Sequence, residues 1–263
     1  IVQSGNDACV ALAEAIAGSE ENFAQMMNRE AQRLGMKSSS FRNSTGLPDP
    51  QHYTTARDLA TLAGALIRDF PEEYAKYYPL KEFRYNNINQ PNRNRLLWLD
   101  PTVDGVKTGH TEAAGYCLIS SAKRGPRRLL AVVLGTASDA VRTQESLKLL
   151  NYGYQFYDAV QLYAKDQAVS NLKVWKGGSS TVKAGFASDF ILAVPKGYAQ
   201  KVQADLVSQQ PLIAPVSAGQ TVGTMKVSID GKHFGDYPVV ALESVPQAGV
   251  FGRAIDSVRL LFN

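Results

Sequence analysis

The 263-residue sequence contains no apolar run of the roughly 18 or more residues that a membrane-crossing helix needs, which excludes a helical span. It has only two cysteines, Cys9 and Cys117, too few for a disulfide-built scaffold. One Cys9–Cys117 bridge would suit an oxidising compartment, but each lies in an apolar stretch, so both are expected as buried free thiols. Three histidines, at 52, 110 and 233, come without H-E-x-x-H or C-x-x-C, which removes the common zinc arrangements and leaves no metal or cofactor implied. There is no G-x-S-x-G elbow either, so a Ser-His-Asp triad built on His110 is not expected. Charge is nearly balanced at +4, and Lys and Arg are scattered without forming a stripe. Nucleic acid is therefore not the implied partner, and small acidic ligands fit better. No fixed-period repeat or low-complexity tract is present, so solenoids and long linkers are excluded. Ile1 is neither an initiator Met nor the start of a basic-then-apolar leader, and the chain is expected to be processed or cut.

What is present divides into two textures. Val10, Leu12, Ala13 and Ile16 have the spacing of a buried helix, capped by Asn6 or Asp7 and stopped at Gly18. A second helix is expected after Ser19, with Glu20 and Glu21 in its first turn and a stop at Gly35. "TTARDLATLAGALIRDF" starts on Thr55-x-x-Asp58, a capping-box-like pair, and carries Leu59, Leu62 and Leu66 on one face. A strand is expected around Phe83 to Tyr85. "GYCLISSAK" and "RRLLAVVLGTA", joined by Arg124-Gly125-Pro126, read as an antiparallel hairpin. Helical spacing returns from Ser138 to about Asp158. Beyond about Gln161, short runs such as "LKVWK", "FILAVP" and "TVGTMKVSID" alternate with Gly, Pro and Asp turns, the texture of a small all-β domain. In "VFGRAIDSVRLLFN", Phe251, Ile255, Val258 and Phe262 share one helical face, with Arg253, Asp256 and Arg259 elsewhere on the helix. The expected organisation is α+β: helices around an antiparallel sheet over 1–160, a β-rich domain over 161–248 and an amphipathic C-terminal helix from 249.

The chemistry centres on "VDGVKTGHTEAAGY". Lys107-Thr108-Gly109 places a cation, a hydroxyl and an unobstructed backbone along a sheet edge, a combination suited to a carboxylate and a carbonyl. A three-residue match by itself equally describes a strand-entry turn. It gains weight from Ser4-x-Asn6, the only S-x-N in the chain, at a helix entrance upstream.

With "QSGNDACVALAEAIAGSEENFAQMMN", "YTTARDLATLAGALIRDFPEEY" and "QPNRNRLLW", these motifs resemble the low-molecular-mass D-alanyl-D-alanine carboxypeptidases of Gram-negative bacteria, the penicillin-binding protein 5 and 6 family. Ser-x-Asn and Lys-Thr-Gly are two of the three motifs of penicillin-recognising serine enzymes, the third being Ser-x-x-Lys. The resemblance extends through the β-rich region and "FGRAIDSVRLLFN". It implies a penicillin-binding, transpeptidase-like domain that cleaves the terminal D-Ala from peptidoglycan stem pentapeptides through a serine acyl-enzyme, and that β-lactams acylate.

Carried over, Ser4 sits in a proton relay, and Asn6 holds the substrate amide and a catalytic lysine. Lys107 supplies positive charge, Thr108 hydrogen-bonds the substrate carboxylate, Gly109 lets substrate approach, and the His110 N–H is an oxyanion donor. Arg142 is the candidate for the terminal carboxylate and Arg93 for its support, each with an exposed surface charge as the plainer alternative. The resemblance also implies a periplasmic location, with the C-terminal helix at the inner-membrane surface. A helix packed on its own domain is the competing reading.

The pattern departs at the nucleophile. Three Ser-x-x-Lys matches exist, Ser120 to Lys123, Ser170 to Lys173 and Ser180 to Lys183, but all lie downstream of Ser-x-Asn and in strand-like sequence, where i and i+3 face opposite sides. The nucleophile is expected in a preceding segment, whose absence would leave apolar surface exposed. Two rival activities share these motifs: a class A-like β-lactamase, and a non-catalytic peptidoglycan-peptide-binding protein.

Overall fold

The computed structural model describes residues 1–260, with the side chains of Phe251 and Ile255 also outside the description. The chain divides between Gln155 and Phe156 into two compact units. The mixture of helices and antiparallel sheets, followed by a second sheet unit, is the expected α+β arrangement.

The first unit opens with α1 (Asn6–Ala17), α2 (Glu20–Arg33), α3 (Ala56–Asp69) and α4 (Pro71–Tyr77). Gly18 and Gly35, at φ +79° and +77°, adopt the left-handed conformation that ends α1 and follows α2. Ser19 caps α2 by accepting from the Asn22 N–H. At α1, Gly5 occupies the cap position, and Asn6 and Asp7 already lie inside the helix, so neither caps it. The left-handed Ser4, at φ +57°, completes the turn early enough for helix to begin at Asn6. Nor is α1 a buried helix: Ala13 is enclosed, but Leu12 and Ile16 are 62% and 60% exposed. Neighbouring helical residues point about 100° apart, so packing through Ala13 leaves the Leu12/Ile16 stripe outward. At α3, Thr55 accepts from the Asp58 N–H, but Asp58 does not complete a capping box. Its buried carboxylate accepts instead from Ser38 N (2.9 Å) and Ser39 Oγ (2.7 Å), fastening α3 to the segment after α2.

Next come β1 (Glu82–Tyr85) and β2 (Ile88–Pro91), then the short α5 (Leu96–Leu99). The β1–β2 hairpin turns through Asn86 and Asn87, both at positive φ, as a tight two-residue loop requires. The central sheet is β3 (Val103–Thr111), β4 (Gly115–Arg124) and β5 (Arg127–Thr136), in that order and antiparallel. The α6 helix (Asp139–Phe156) closes the unit, with Ser138 Oγ accepting from Val141 N at its start.

Alternation along β4 and β5 builds two layers. Leu118, Ala122, Leu129 and Ala131 pack with Leu96, Leu97 and Leu150, while Ile119 and Leu130 pack toward Ala63, Tyr74 and Tyr78. Helices thus cover both faces. Opposite Val103 and Gly105 the β3–β4 register shifts, a bulge that takes up Asp104.

The second unit contains β6 (Tyr157–Tyr163), β7 (Ala168–Trp175), β8 (Thr181–Gly185), β9 (Phe190–Pro195), β10 (Val202–Ser208), β11 (Leu212–Ile213), β12 (Thr221–Ile229), β13 (Lys232–Ala241) and α7 (Val250–Leu260). Six strands form a sheet in the order β10-β12-β13-β8-β7-β11, and β6 pairs with β9. Strictly alternating burial along β9 feeds Phe190, Leu192 and Val194 into a core shared with Val182, Val222, Met225 and Val239. In α7 the Asp256 carboxylate accepts from Lys176 N at 2.7 Å, fastening the helix to its own unit. Val258 of the expected apolar face is exposed; Phe262 lies outside the described residues.

Candidate active site

The site forms where the entrance of α1 meets the edge strand β3. Lys107 Nζ donates to Ser4 Oγ and, at 2.7 Å, to the Thr108 carbonyl. Burial pulls the Lys107 ammonium down to about 8; the nearby Arg93 and Arg142 act in the same direction, against the opposing influence of Cys9. The lysine therefore gives up its proton far more readily than a free lysine while held against a serine hydroxyl.

A cavity of about 970 Å³ opens over this pair. The sequence-derived candidates Ser4, Asn6, Lys107, Thr108, Gly109, His110, Arg93 and Arg142 all line it. Thr108 is buried, while Gly109 and His110 are exposed along the strand end. A Cβ built on Gly109 would meet only the Cys117 side chain, at 3.9 Å, so the strand backbone is open on its cavity side. The His110 ring packs against Tyr116, centroids 3.9 Å apart.

Arg142, in the first turn of α6, is not a helix-surface charge: it is 4% exposed. It pairs with Asp139 one turn earlier and donates to the carbonyls of Gly109, Cys117 and Arg93, each at 3.4 Å, while its buried Nε has no hydrogen-bond partner among the described residues. The guanidinium thus knits α6 to the end of β3 and to the loop after β2. Arg93 itself is exposed at the cavity wall.

Several contributors were not legible beforehand. Asp139, the first residue of α6, also pairs with Arg95 at 2.6 Å. Asn94, buried in the loop before α5, donates to the Gly105 carbonyl at 3.1 Å and accepts from Leu96 N. Behind the sheet, Tyr74 donates to Asp104, which pairs with Arg128 at 2.7 Å, and burial pushes the Tyr74 phenol well above its usual range. A third wall comes from Thr45, Gly46 and Leu47, held by Asn43, which accepts from Gly46 N at 2.7 Å and donates to the Leu47 carbonyl. The only hint of that wall was its turn-rich "RNSTGLPD" composition.

Neither cysteine is bridged, and both are half-buried, not fully enclosed as expected, with Cys117 on the cavity wall. Of the three Ser-x-x-Lys pairs, Ser120 is enclosed on β4 with Lys123 outward, and the others belong to the second unit. Among the described residues no cluster of His, Cys, Asp and Glu could hold a metal ion.

A Ser-x-Asn helix entrance set against a Lys-Thr-Gly edge strand, in an antiparallel sheet covered by helices, is the motif arrangement of the penicillin-binding class. The family model described as D-alanyl-D-alanine carboxypeptidase matches residues 1–138, and that of the penicillin-binding protein 5 C-terminal domain matches residues 157–247. The chain is 43% identical over 265 residues to D-alanyl-D-alanine carboxypeptidase DacC of Escherichia coli, covering 100% of this chain and 66% of that protein. It is similar to the crystal structure of penicillin-binding protein 5 from Haemophilus influenzae, with a TM-score of 0.82 and 40% identity over 94% of this chain and 72% of that one. A more distant likeness, TM-score 0.54 and 32% identity over 57% of this chain and 62% of the other, is to penicillin-binding protein D2 of Listeria monocytogenes in its cefotaxime-bound form. The chain belongs to the D-alanyl-D-alanine carboxypeptidase family, peptidase family S11. It spans about two thirds of the length of the curated relatives it matches.

Proposed function

We propose that this chain carries the substrate groove of a serine D-alanyl-D-alanine carboxypeptidase that trims peptidoglycan stem pentapeptides. The observation that carries the reading is Lys107 Nζ on Ser4 Oγ at an open strand edge, beside a buried arginine. A peptide ending in D-Ala-D-Ala lies along β3 and meets its backbone groups as an added strand. Its terminal carboxylate faces the Thr108 hydroxyl and the positive field of Lys107 and Arg142, with Arg93 in support.

The nucleophile is a serine of the Ser-x-x-Lys element, which the family order puts before Ser4 and which is not assigned to a residue of this chain. Its hydroxyl gives its proton to the amine of the lysine in the same Ser-x-x-Lys element as its oxygen attacks the penultimate D-Ala carbonyl, and the developing oxyanion is met by the His110 N–H. The amide C–N bond breaks, the leaving D-Ala nitrogen takes a proton relayed through Ser4 and Lys107, and water then hydrolyses the ester. Asn6 orients the substrate amide. A β-lactam enters the same step, but its ring-opened amine stays tethered. The enzyme acts in the periplasm, with the C-terminal helix at the inner-membrane surface.

The test is a fluorescent penicillin applied to the chain joined to the upstream segment of its gene. Stable covalent label, much slower to form in Lys107→Ala, supports the reading. Rapid label turnover identifies a β-lactamase instead, and absence of label a binding protein.

A further inference from the structure

The β1–β2 hairpin stands beside the cavity and takes no part in this mechanism. Cross-strand partners Phe83↔Gln90 and Tyr85↔Ile88 share one face of the ribbon, and Glu82, Arg84, Asn89 and Pro91 share the other. On the first face Phe83, Tyr85 and Ile88 are 51%, 63% and 62% exposed, an unusual outlay of apolar surface on a ribbon that pairs with no other described strand. The two aromatic rings lie within 7° of parallel, centroids 6.5 Å apart.

The ribbon is held firmly at its base: Asn92 N donates to Lys81 O at 2.7 Å, and Asn92 Nδ2 donates to Leu80 O at 2.9 Å. That base is also the rim of the active-site cavity. Pro91 and Asn92 line the cavity, and the Pro91 carbonyl accepts from Gln3 at 2.7 Å, next to Ser4.

We infer that this hairpin face is a saccharide-binding platform that receives the β-1,4-linked amino-sugar chain to which the stem peptide is attached. The inference rests on the peptidoglycan reading of the cavity, because it is continuity with the peptide groove that puts the sugar backbone of the same polymer at this rim. The chemistry of the face agrees. Pyranose rings offer apolar C–H faces that stack on aromatic rings, and Gln90 supplies an amide for hydroxyl or N-acetyl groups. The face carries no charged side chain, so it is poorly matched to an anionic lipid surface, which basic residues would serve.

The test titrates the chain joined to the upstream segment of its gene with chitohexaose, followed by the amide and aromatic NMR signals of the hairpin, for wild type and for Phe83→Ser/Tyr85→Ser; a hairpin face covered by that segment also overturns the inference. Both side chains are exposed, so the double variant should keep its melting temperature. Arg84→Ala, on the opposite face, is the control. The expected result is saturable binding by wild type and by the control, weakened at least tenfold in the double variant. Absence of saturable binding, or equal binding by the double variant, overturns the inference. So does hairpin-dependent binding to phosphatidylglycerol vesicles without binding to the saccharide. Penicillin labelling does not involve this face. Failure of labelling with saccharide binding intact would therefore count against the carboxypeptidase reading and not against the platform.

Discussion

Replacing Lys107 with Met should make the first unit more stable at neutral pH and remove a pH response that the wild type shows. Folding moves the lysine from its ordinary 10.5 to about 8, because the half-buried ammonium loses water that Ser4 and the Thr108 carbonyl do not fully replace. Below pH 8 the lysine is protonated in both the folded and unfolded chain, and the penalty is fully present. Between 8 and 10.5 the unfolded chain binds more protons, so stability rises with pH; above 10.5 the penalty is gone. At about 1.4 kcal/mol per pH unit, the rise from pH 7 to 9.5 would be about 2 kcal/mol for a fully enclosed group, and solvent access reduces it to about 1–1.5 kcal/mol. That corresponds to about 2–6 °C in the melting temperature of a unit this size. Differential scanning calorimetry of wild type and Lys107→Met at both pH values isolates the effect, since other titrating groups cancel in the comparison. Identical pH responses in the two proteins, or a wild type that loses more stability than the variant on going to pH 9.5, would refute a lysine held at a desolvation cost.

Other outcomes follow from the packing around the site. Asn94→Ala strands the Gly105 carbonyl and the Leu96 N–H in a buried loop and should cost about 2–4 kcal/mol in urea unfolding. Gly105→Ala should destabilise by about 1–3 kcal/mol, because the added Cβ would lie 2.4 Å from the Tyr74 oxygen and Tyr74 is enclosed; circular-dichroism melts measure this. Arg142→Lys keeps the charge but not the planar fork that reaches three carbonyls. In the chain joined to its upstream segment, penicillin labelling should slow at least tenfold.

Local signals carried much of the architecture. Ser19 and Gly35 bracket α2, Gly125-Pro126 turns β4 into β5, and alternation marks most strands of the second unit, because each depends on residues close in sequence. Less was legible wherever the decisive partner is remote. The β1–β2 hairpin escaped as a pair because Asn86-Asn87 lacks the glycine that usually marks such a turn. Leu12 and Ile16 have the spacing of a core face, yet Ala13 is the residue enclosed. Juxtaposition of Ser4 with Lys107, 103 residues apart, followed from family resemblance and not from any pattern in the residues. Asn94 beneath Gly105 and Asp139 beside Arg95 had no such guide, since a buried asparagine and a helix-start aspartate look like ordinary turn and cap residues.

The bulge at Asp104 fixes the phase of everything after it on β3. With it, Lys107 stands opposite Ile119, on the side of the sheet where Gly105 abuts Tyr74. Counting without it, Asp104 would face Ser121 and Lys107 would face Leu118, whose side chain is enclosed with Leu150 in the opposite layer. One supernumerary residue thus decides whether the ammonium meets a serine or is driven into hydrocarbon. Deleting Asp104 would let Val103 and Gly105 follow each other opposite Ala122 and Ser121 and keep Lys107 facing Ile119, whereas drawing Asp104 into the ladder would leave the Lys-Thr-Gly motif intact in the sequence while turning its lysine through the sheet.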